Sequence, residues 1–266
     1  MSDPRWAMCN HGEMAQLITL RGSISGEGVS AYRAEPTGEL KGALIVVHEI
    51  WGLVDHIKDV ADRFAAQGYL VVAPDILSEI GVVPELGNEL FEIQAHGTDE
   101  QRIEAQPRMR EMFASTRSPE FGEKSIAALK GVVDYLESQP DIEGRIAVTG
   151  FCFGGSYAFL LASEDSRVRA AVPWYGHAPD ADQLGSIRCP VLAIYGGLDE
   201  QLMDALPEVT ASMADAGVDF TPKVYPDARH AFFNDTSRAA YDPEAAADAW
   251  PLVLGFLDTA LNPAQP

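Results

Sequence analysis

The feature that most constrains the fold is a glycine-rich turn, Gly150-Phe151-Cys152-Phe153-Gly154-Gly155, between two apolar runs. The run before it, 145–149, predicts a strand, and the run after it, 156–161, predicts a helix. In so tight a turn, a Cβ two positions to either side of the central residue would strike the neighbouring helix or strand, which explains the glycines. The pattern G-x-C-x-G-G therefore predicts a nucleophile elbow with Cys152 at its tip.

The position of Cys152 before a helix favours a reactive thiol over an inert one. Free N–H groups and a partial positive charge at a helix N-terminus favour the thiolate. The alternative is a buried structural cysteine in a tight turn. The choice depends on whether an acid and a base follow in the chain.

Two later loops supply that acid and that base. Asp199 follows the strand predicted at 191–195, and His230 follows the strand predicted at 219–225. The order nucleophile, acid, histidine, each after a strand, is the order of α/β-hydrolases. We therefore predict a catalytic triad of Cys152, Asp199 and His230. Asp227 is a competing acid, but the place of Asp199 directly after a strand favours Asp199.

Strands and helices alternate through the rest of the chain. The apolar run 43–47 is typical of a strand buried on both faces, and 57–65 repeats apolar residues at helical spacing before a strand at 69–73. Further strands are expected at 168–172 and a final helix at 243–260. This alternation predicts an α/β fold with a mostly parallel central sheet flanked by helices on both faces.

We expect a single domain over residues 15–260, between a loose N-terminal segment at 1–14 and a tail at 261–266. The pattern of alternation loosens between about 76 and 121. We interpret this stretch as an excursion over the sheet, with a short helix near 100–113.

The chain resembles the dienelactone hydrolase (carboxymethylenebutenolidase-like) family of α/β-hydrolases. The resemblance runs over roughly residues 25–259, and its matching stretches are His48-Glu49-Ile50-Trp51-Gly52, the elbow at 150–155, Trp174-Tyr175-Gly176, Gly196-Gly197-Leu198-Asp199 and His230-Ala231-Phe232. It implies a carboxylic ester hydrolase that opens enol lactones through a thiol acyl-enzyme, without a cofactor.

The same resemblance assigns roles to three residues near the elbow. It implies that Glu49 contacts the resting thiol and takes part in forming the thiolate when substrate binds. It places the oxyanion hole at the backbone N–H groups of Ile50 and Phe153, which must lie about 3 Å from the developing oxyanion.

The resemblance also implies arginines that bind a substrate carboxylate. One corresponds to Arg110, with Arg108 as the alternative, whereas the second is expected where this chain has Asn234. A neutral amide cannot form a charge-assisted bidentate pair, so we expect weaker discrimination against neutral esters. Three aromatic residues have two possible roles, because they either line the pocket or pack at strand ends: Trp51, Tyr175 and Phe232.

The composition of the chain limits which partners it can bind. A formal charge of -21 disfavours nucleic acid and anionic membrane surfaces, and the three cysteines have no paired spacing. We expect a cytoplasmic monomer or small homo-oligomer that takes a small lactone or ester and has no metal. The competing functions are a hydrolase-fold binding or regulatory protein with little turnover, a broad carboxylesterase acting on neutral esters, and thiol redox chemistry at Cys152.

Overall fold

The computed structural model of the chain describes residues 15–20 and 28–263, so the predicted loose segment at 1–14 lies outside the described residues. The strands in these ranges are β1 (Ala15–Leu20), β2 (Val29–Ala34), β3 (Gly42–Val47), β4 (Tyr69–Pro74), β5 (Ile146–Phe151), β6 (Val168–Trp174), β7 (Val191–Gly196) and β8 (Phe220–Tyr225). The helices are α1 (Asp55–Ala65), α2 (Pro84–His96), α3 (Asp99–Ser115), α4 (Pro119–Glu137), α5 (Phe153–Glu164), α6 (Ala181–Leu184), α7 (Glu200–Asp215) and α8 (Pro243–Leu261), with a 3-10 turn at Ser78–Ile80.

The described strands form one sheet in the order β1-β2-β4-β3-β5-β6-β7-β8. Strands β1 and β2 pair antiparallel, as do β2 and β4, and every other neighbouring pair is parallel. The central strands β3, β4 and β5 are buried along their whole length, which agrees with their continuous apolar runs. The predicted mostly parallel sheet is confirmed.

Helices pack against this sheet and bury its apolar residues. Phe64 of α1 packs on Trp250 of α8 with 4.5 Å between ring centroids, while α4 packs along α5. Helix α1 contributes its buried stripe to the core through Ile57, Val60 and Phe64, the residues whose spacing predicts the helix.

The excursion contains more helix than the sequence pattern indicates. The sequence pattern does not predict α2, and α3 extends over 17 residues that include Pro107. Pro84 and Gly87 resemble loop residues in sequence, yet Pro84 opens α2. Gly87 lets the helix approach the chain at Trp51, since a Cβ there would lie 1.7 Å from the Trp51 carbonyl oxygen. The antiparallel strands β1 and β2 were also not anticipated.

Parallel pairing fixes where the functional loops lie. Strands β3, β5, β7 and β8 run in the same direction, so their carboxyl ends meet at one edge of the sheet. The residues that follow those strands include Glu49, Cys152, Asp199 and His230. Open α/β sheets bind ligands at this edge.

Candidate active site

The turn between β5 and α5 has the geometry of a nucleophile elbow. Cys152 has φ 55° and ψ -113°, a left-handed conformation that few residues other than glycine adopt. A Cβ on Gly150 would lie 2.1 Å from the Gly154 carbonyl oxygen, and one on Gly154 would lie 2.2 Å from the Val47 carbonyl oxygen. The glycines are therefore required by backbone contacts on both sides of Cys152.

Asp199 and His230 come together across the loops after β7 and β8. The Asp199 Oδ2 atom is hydrogen-bonded to Nδ1 of His230, and the ring of Tyr175 packs against the imidazole at 5.1 Å between centroids. The Asp199 side chain is 13% exposed and that of His230 is 40% exposed. Asp227, the competing acid, lies exposed in the turn before His230. The geometry pairs the histidine with Asp199.

The sulfur of Cys152 lies in a setting that keeps it protonated. Burial, together with the charges of Glu49 and Asp199, raises the pKa of the thiol to about 12. The backbone N–H groups of Phe153 and Ile50 donate toward the sulfur and act in the opposite direction. The same two donors are those that the resemblance assigns to an oxyanion. The resting group is a thiol.

Glu49 is a buried carboxylate with one amide partner. It is 2% exposed, and Asn234 Nδ2 donates to its Oε2 atom at 2.9 Å. Burial raises the pKa of Glu49, whereas His56, the Asn234 hydrogen bond and His230 favour its ionised form. A carboxylate with a raised pKa near a thiol is a suitable proton acceptor.

Glu49, Cys152, Asp199 and His230 line one cavity of about 580 Å³. This is within the range of small-molecule sites. Its apolar wall includes Trp51 and Phe91, whose rings meet edge to face at 5.9 Å. The lining is formed by Glu49, Ile50, Trp51, Phe91, Gln94, Ala95, Cys152, Leu198, Asp199, Glu200, Gln201, Arg229, His230, Ala231, Asn234, Ser237, Ala239 and Ala240.

The structure brings neither Arg110 nor its alternative, Arg108, to this cavity. Arg108 is 47% exposed on α3 and forms a bidentate pair with Glu89, at 2.7 and 2.9 Å. Arg110 is also exposed on α3, and neither arginine is among the lining residues. The arginine that lines the cavity is Arg229, which sequence reasoning missed. Its only sequence signal is its position beside His230.

The other predicted substrate-binding residues differ in whether they line the cavity. Trp51 and Asn234 line the cavity, but the Asn234 amide is already used: Nδ2 donates to Glu49, and Oδ1 accepts from the Thr236 backbone N–H and hydroxyl. Tyr175 and Phe232 are fully buried, pack on each other at 5.8 Å and are absent from the lining. Both aromatics act in packing behind the site.

The described residues contain neither a candidate metal-binding cluster nor a helix that could cross a membrane. Over residues 15–20 and 28–263, no group of three or more His, Cys, Asp or Glu side chains is placed to hold a metal ion. In the same part of the chain, no helix is both long enough and apolar enough to cross a bilayer.

The mostly parallel eight-stranded sheet, with the Cys152 elbow and the Asp199–His230 pair at its carboxyl edge, defines an α/β-hydrolase fold. The profile of the dienelactone hydrolase family matches residues 29–261, and the chain belongs to that family.

Individual relatives agree with this assignment. The chain is 33% identical to a Saccharolobus solfataricus protein named "Putative carboxymethylenebutenolidase", over 87% of this chain and 94% of the relative. A Methylorubrum extorquens protein of the same name is 32% identical, over 84% and 74%. The crystal structure of a protein titled "Putative Dienelactone Hydrolase", from Klebsiella pneumoniae, superposes with a TM-score of 0.75 at 28% identity, covering 92% of this chain and 98% of that one.

Proposed function

We propose that this protein hydrolyses lactones and carboxylic esters with Cys152 as nucleophile, through a thiol acyl-enzyme. The observation that carries the proposal is the strained elbow at Cys152, which shares its cavity with the hydrogen-bonded pair Asp199 and His230. A nucleophile, a base and an acid that orients the base form the arrangement of acyl-transfer enzymes. The cysteine mechanism, its residues and its substrate are all part of this proposal.

The first half of the proposed reaction forms a thioester. Glu49 accepts the thiol proton, and the sulfur attacks the substrate carbonyl. The backbone N–H groups of Ile50 and Phe153 stabilise the oxyanion. As the C–O bond of the ester breaks, the leaving oxygen takes up the proton that Glu49 accepted from the thiol, and Glu49 returns to its ionised form.

The second half returns the enzyme to its resting form. His230 removes a proton from a water molecule, which attacks the thioester carbonyl. The C–S bond breaks, the acid leaves, and the sulfur regains a proton from His230, which held the proton taken from water. Asp199 keeps Nδ1 of the imidazole protonated and stabilises the imidazolium that forms.

The test is turnover of p-nitrophenyl acetate and a panel of enol lactones, with intact-mass detection of an acyl adduct. We expect Cys152→Ala to abolish hydrolysis and the adduct. Cys189→Ala is the matched control, because Cys189 is buried beside β7, and it should keep both. An alanine variant at Cys152 with wild-type kcat/KM would contradict the cysteine mechanism, and a wild-type protein with neither turnover nor adduct would favour a regulatory binding function.

A second candidate is a broad carboxylesterase for neutral esters and lactones. It is favoured because Arg108 and Arg110 lie away from the cavity while Asn234 is engaged by Glu49. The candidates differ at Arg229. If a substrate carboxylate binds there, Arg229→Gln lowers kcat/KM for a carboxylated lactone by about tenfold to a hundredfold relative to a neutral one. If the enzyme acts on neutral esters, that ratio does not change.

A further inference from the structure

The buried histidine that precedes Glu49 is hydrogen-bonded at both ring nitrogens. His48 has no exposed surface, and it is not part of the cavity lining. The backbone N–H of Ile76 donates to its Nε2 atom at 3.2 Å, and its Nδ1 atom lies 2.6 Å from the Glu49 carbonyl oxygen. Because Nε2 accepts a hydrogen bond, the ring proton is on Nδ1, which donates to that carbonyl. Burial also lowers the pKa of His48, which agrees with a neutral ring.

The carbonyl that accepts this hydrogen bond belongs to the peptide group of a proposed oxyanion donor. The Glu49 C=O and the Ile50 N–H share one planar trans peptide group, so they point in opposite directions. The Gly52 N–H also donates to this carbonyl oxygen, at 3.1 Å, and His48 supplies the second hydrogen bond. The Ile50 N–H is therefore oriented by contacts on the far side of its own peptide group.

His48 also contacts the residue that carries the other proposed donor. Its ring is nearly parallel to the ring of Phe153, with 6.0 Å between centroids and 8° between planes. This distance is within the range of favourable aromatic contacts. The main chains are close as well, since a Cβ on Gly154 would lie 2.5 Å from the His48 carbonyl oxygen. One side chain thus connects the loop after β3 with the start of α5.

The loop that holds the other side of the ring is ordered by its own hydrogen bonds. Asp75 is buried, and its Oδ1 atom accepts from the backbone N–H groups of Leu77 and Ser78, at 3.2 and 3.0 Å. Its Oδ2 atom accepts from the Ser78 hydroxyl. These contacts fix the short turn after β4, and with it the Ile76 N–H that holds Nε2 of His48.

We propose that His48 is a positioning residue of the oxyanion hole, whose Nδ1–H group orients and polarises the Glu49–Ile50 peptide so that the Ile50 N–H becomes a stronger donor. A hydrogen bond to a peptide carbonyl draws electron density from the adjacent nitrogen, and hydrogen bonds in such a chain strengthen one another. A donor that is already in place needs no reorganisation when negative charge develops. The inference rests on the proposed function, in which Ile50 stabilises the oxyanion.

The direct test is the nitrogen chemical shift of the Ile50 amide in the enzyme without substrate. Isotope labelling of glutamate carbonyls and isoleucine nitrogens selects the Glu–Ile peptides, which end at Ile50, Ile80 and Ile93. Ile50→Val assigns the first by the loss of its peak. In His48→Leu we expect the Ile50 nitrogen to move upfield, because its peptide carbonyl loses a hydrogen bond. The Ile93 peak is the internal control and should stay in place.

The effect on catalysis is measured with p-nitrophenyl acetate. In His48→Leu we expect kcat to fall about tenfold to a hundredfold with KM nearly unchanged, because the donor acts on the transition state. The loss of a whole oxyanion donor costs more, about a hundredfold to a thousandfold. His48→Asn should restore most of kcat and of the nitrogen shift. Its Nδ2 atom is bonded to Cγ, as Nδ1 is in histidine, and can donate to the same carbonyl.

Thr149→Val is the matched control for the loss of a buried hydrogen bond. The Thr149 hydroxyl, which is equally buried, donates to the Val172 carbonyl at 2.9 Å and accepts from Nε1–H of Trp174 at 3.1 Å. The Val172 carbonyl is followed by Pro173, which has no N–H, so this hydrogen bond cannot act on an oxyanion donor. The variant should lower the urea midpoint and leave kcat and the nitrogen shift near their wild-type values.

An unchanged Ile50 nitrogen shift in folded His48→Leu would overturn the proposal. A loss of kcat that Thr149→Val reproduces, or that His48→Asn does not relieve, would do the same. Circular dichroism verifies that each variant is folded.

A second test uses the wild-type enzyme and so needs no variant to fold. The nitrogen shifts of the His48 ring should show a protonated Nδ1 and an unprotonated Nε2, and the opposite tautomer would contradict the proposal. Neither shift depends on turnover. A wild-type enzyme with no turnover and no acyl adduct would refute the proposed function, whereas the polarisation of the Glu49–Ile50 peptide would still be decided by the Ile50 shift.

Discussion

The elbow and the helical excursion both contribute residues to the same cavity, and they are built in different ways. At the elbow, backbone atoms pack so closely that Gly150 and Gly154 have no room for a side chain. In the excursion, α3 buries only Ala105 and Met112, and Arg108 forms its ion pair at the surface. Cys152 is thus positioned by main-chain contacts, whereas the position of α3 in the excursion depends on a few buried side chains.

The largest expected effect comes from Gly154→Ala. The new Cβ would lie 2.2 Å from the Val47 carbonyl oxygen, so β3 or α5 must move. We expect loss of all measurable hydrolysis and a marked fall in the urea midpoint. Gly122→Ala on α4 is the control, because nothing lies within 4 Å of its Cβ, and it should stabilise the fold by about 0.4–1 kcal/mol. Equal urea midpoints and equal activities in the two variants would show that the elbow is no more tightly packed than the surface of α4.

Asp199→Asn comes next and tests the acid. The amide cannot hold the required tautomer of His230, so kcat/KM should fall on the order of a thousandfold or more. Asp227→Asn changes an exposed residue in the turn after β8, and kcat/KM should stay within about twofold of wild type. Similar losses in both variants would show that the acid has been assigned wrongly.

Glu49→Gln distinguishes two effects of Glu49, its charge next to the Cys152 thiol and its proposed role as proton acceptor during turnover. The Glu49 charge contributes to the raised pKa of Cys152, so its removal should lower that pKa. A shift of about one unit would make iodoacetamide alkylation at pH 9 about tenfold faster, while ester hydrolysis slows because the proton acceptor is lost. Glu200→Gln, another carboxylate of the lining, is the control for alkylation. Slower alkylation in Glu49→Gln would reverse the sign of this argument.

The smallest effect is expected in the excursion. Phe91→Ala removes the ring that meets Trp51 and should raise KM severalfold with little change in kcat. Arg108→Gln breaks only a surface pair with Glu89 and should change neither constant. A loss of carboxylated-lactone hydrolysis in Arg108→Gln would show that α3 moves toward the cavity when substrate binds.

The same contrast explains what the sequence could predict. Strands β3, β4 and β5 are recognisable because each is a short apolar run buried on both faces. The elbow is recognisable because its glycines lie in one short turn between an apolar strand and a helix, and Gly150 is required by a contact within that turn, with the Gly154 carbonyl oxygen. Strands β1 and β2 have no such run of apolar residues. At β1, the edge strand, even Leu17 is exposed, so the sequence gives no comparable signal for a strand.

The excursion was harder to predict because its determinants are distant in sequence. Gly87 has no local reason to lie within a helix, and its reason is the chain at Trp51, 36 residues earlier. The hydrogen bond between Asn234 and Glu49 joins residues 185 positions apart. The alignment of Asn234 with the arginine that the family has four residues after the histidine could not reveal this contact. Arg229 differs again, since an arginine beside a histidine carries no pattern that assigns it to a cavity.

Left-handed backbone at the site affects how much mutation the protein can tolerate elsewhere. Besides Cys152, Tyr175 and Ala231 also have positive φ, at 37° and 62°. Each such residue costs on the order of 1–3 kcal/mol, and the net stability of a domain is only about 5–15 kcal/mol. The remainder of the sheet must therefore carry a surplus. Variants that lose part of that surplus would unfold before a catalytic defect could be measured, and Ala231→Gly, which removes the strain at one of these positions, would restore part of it.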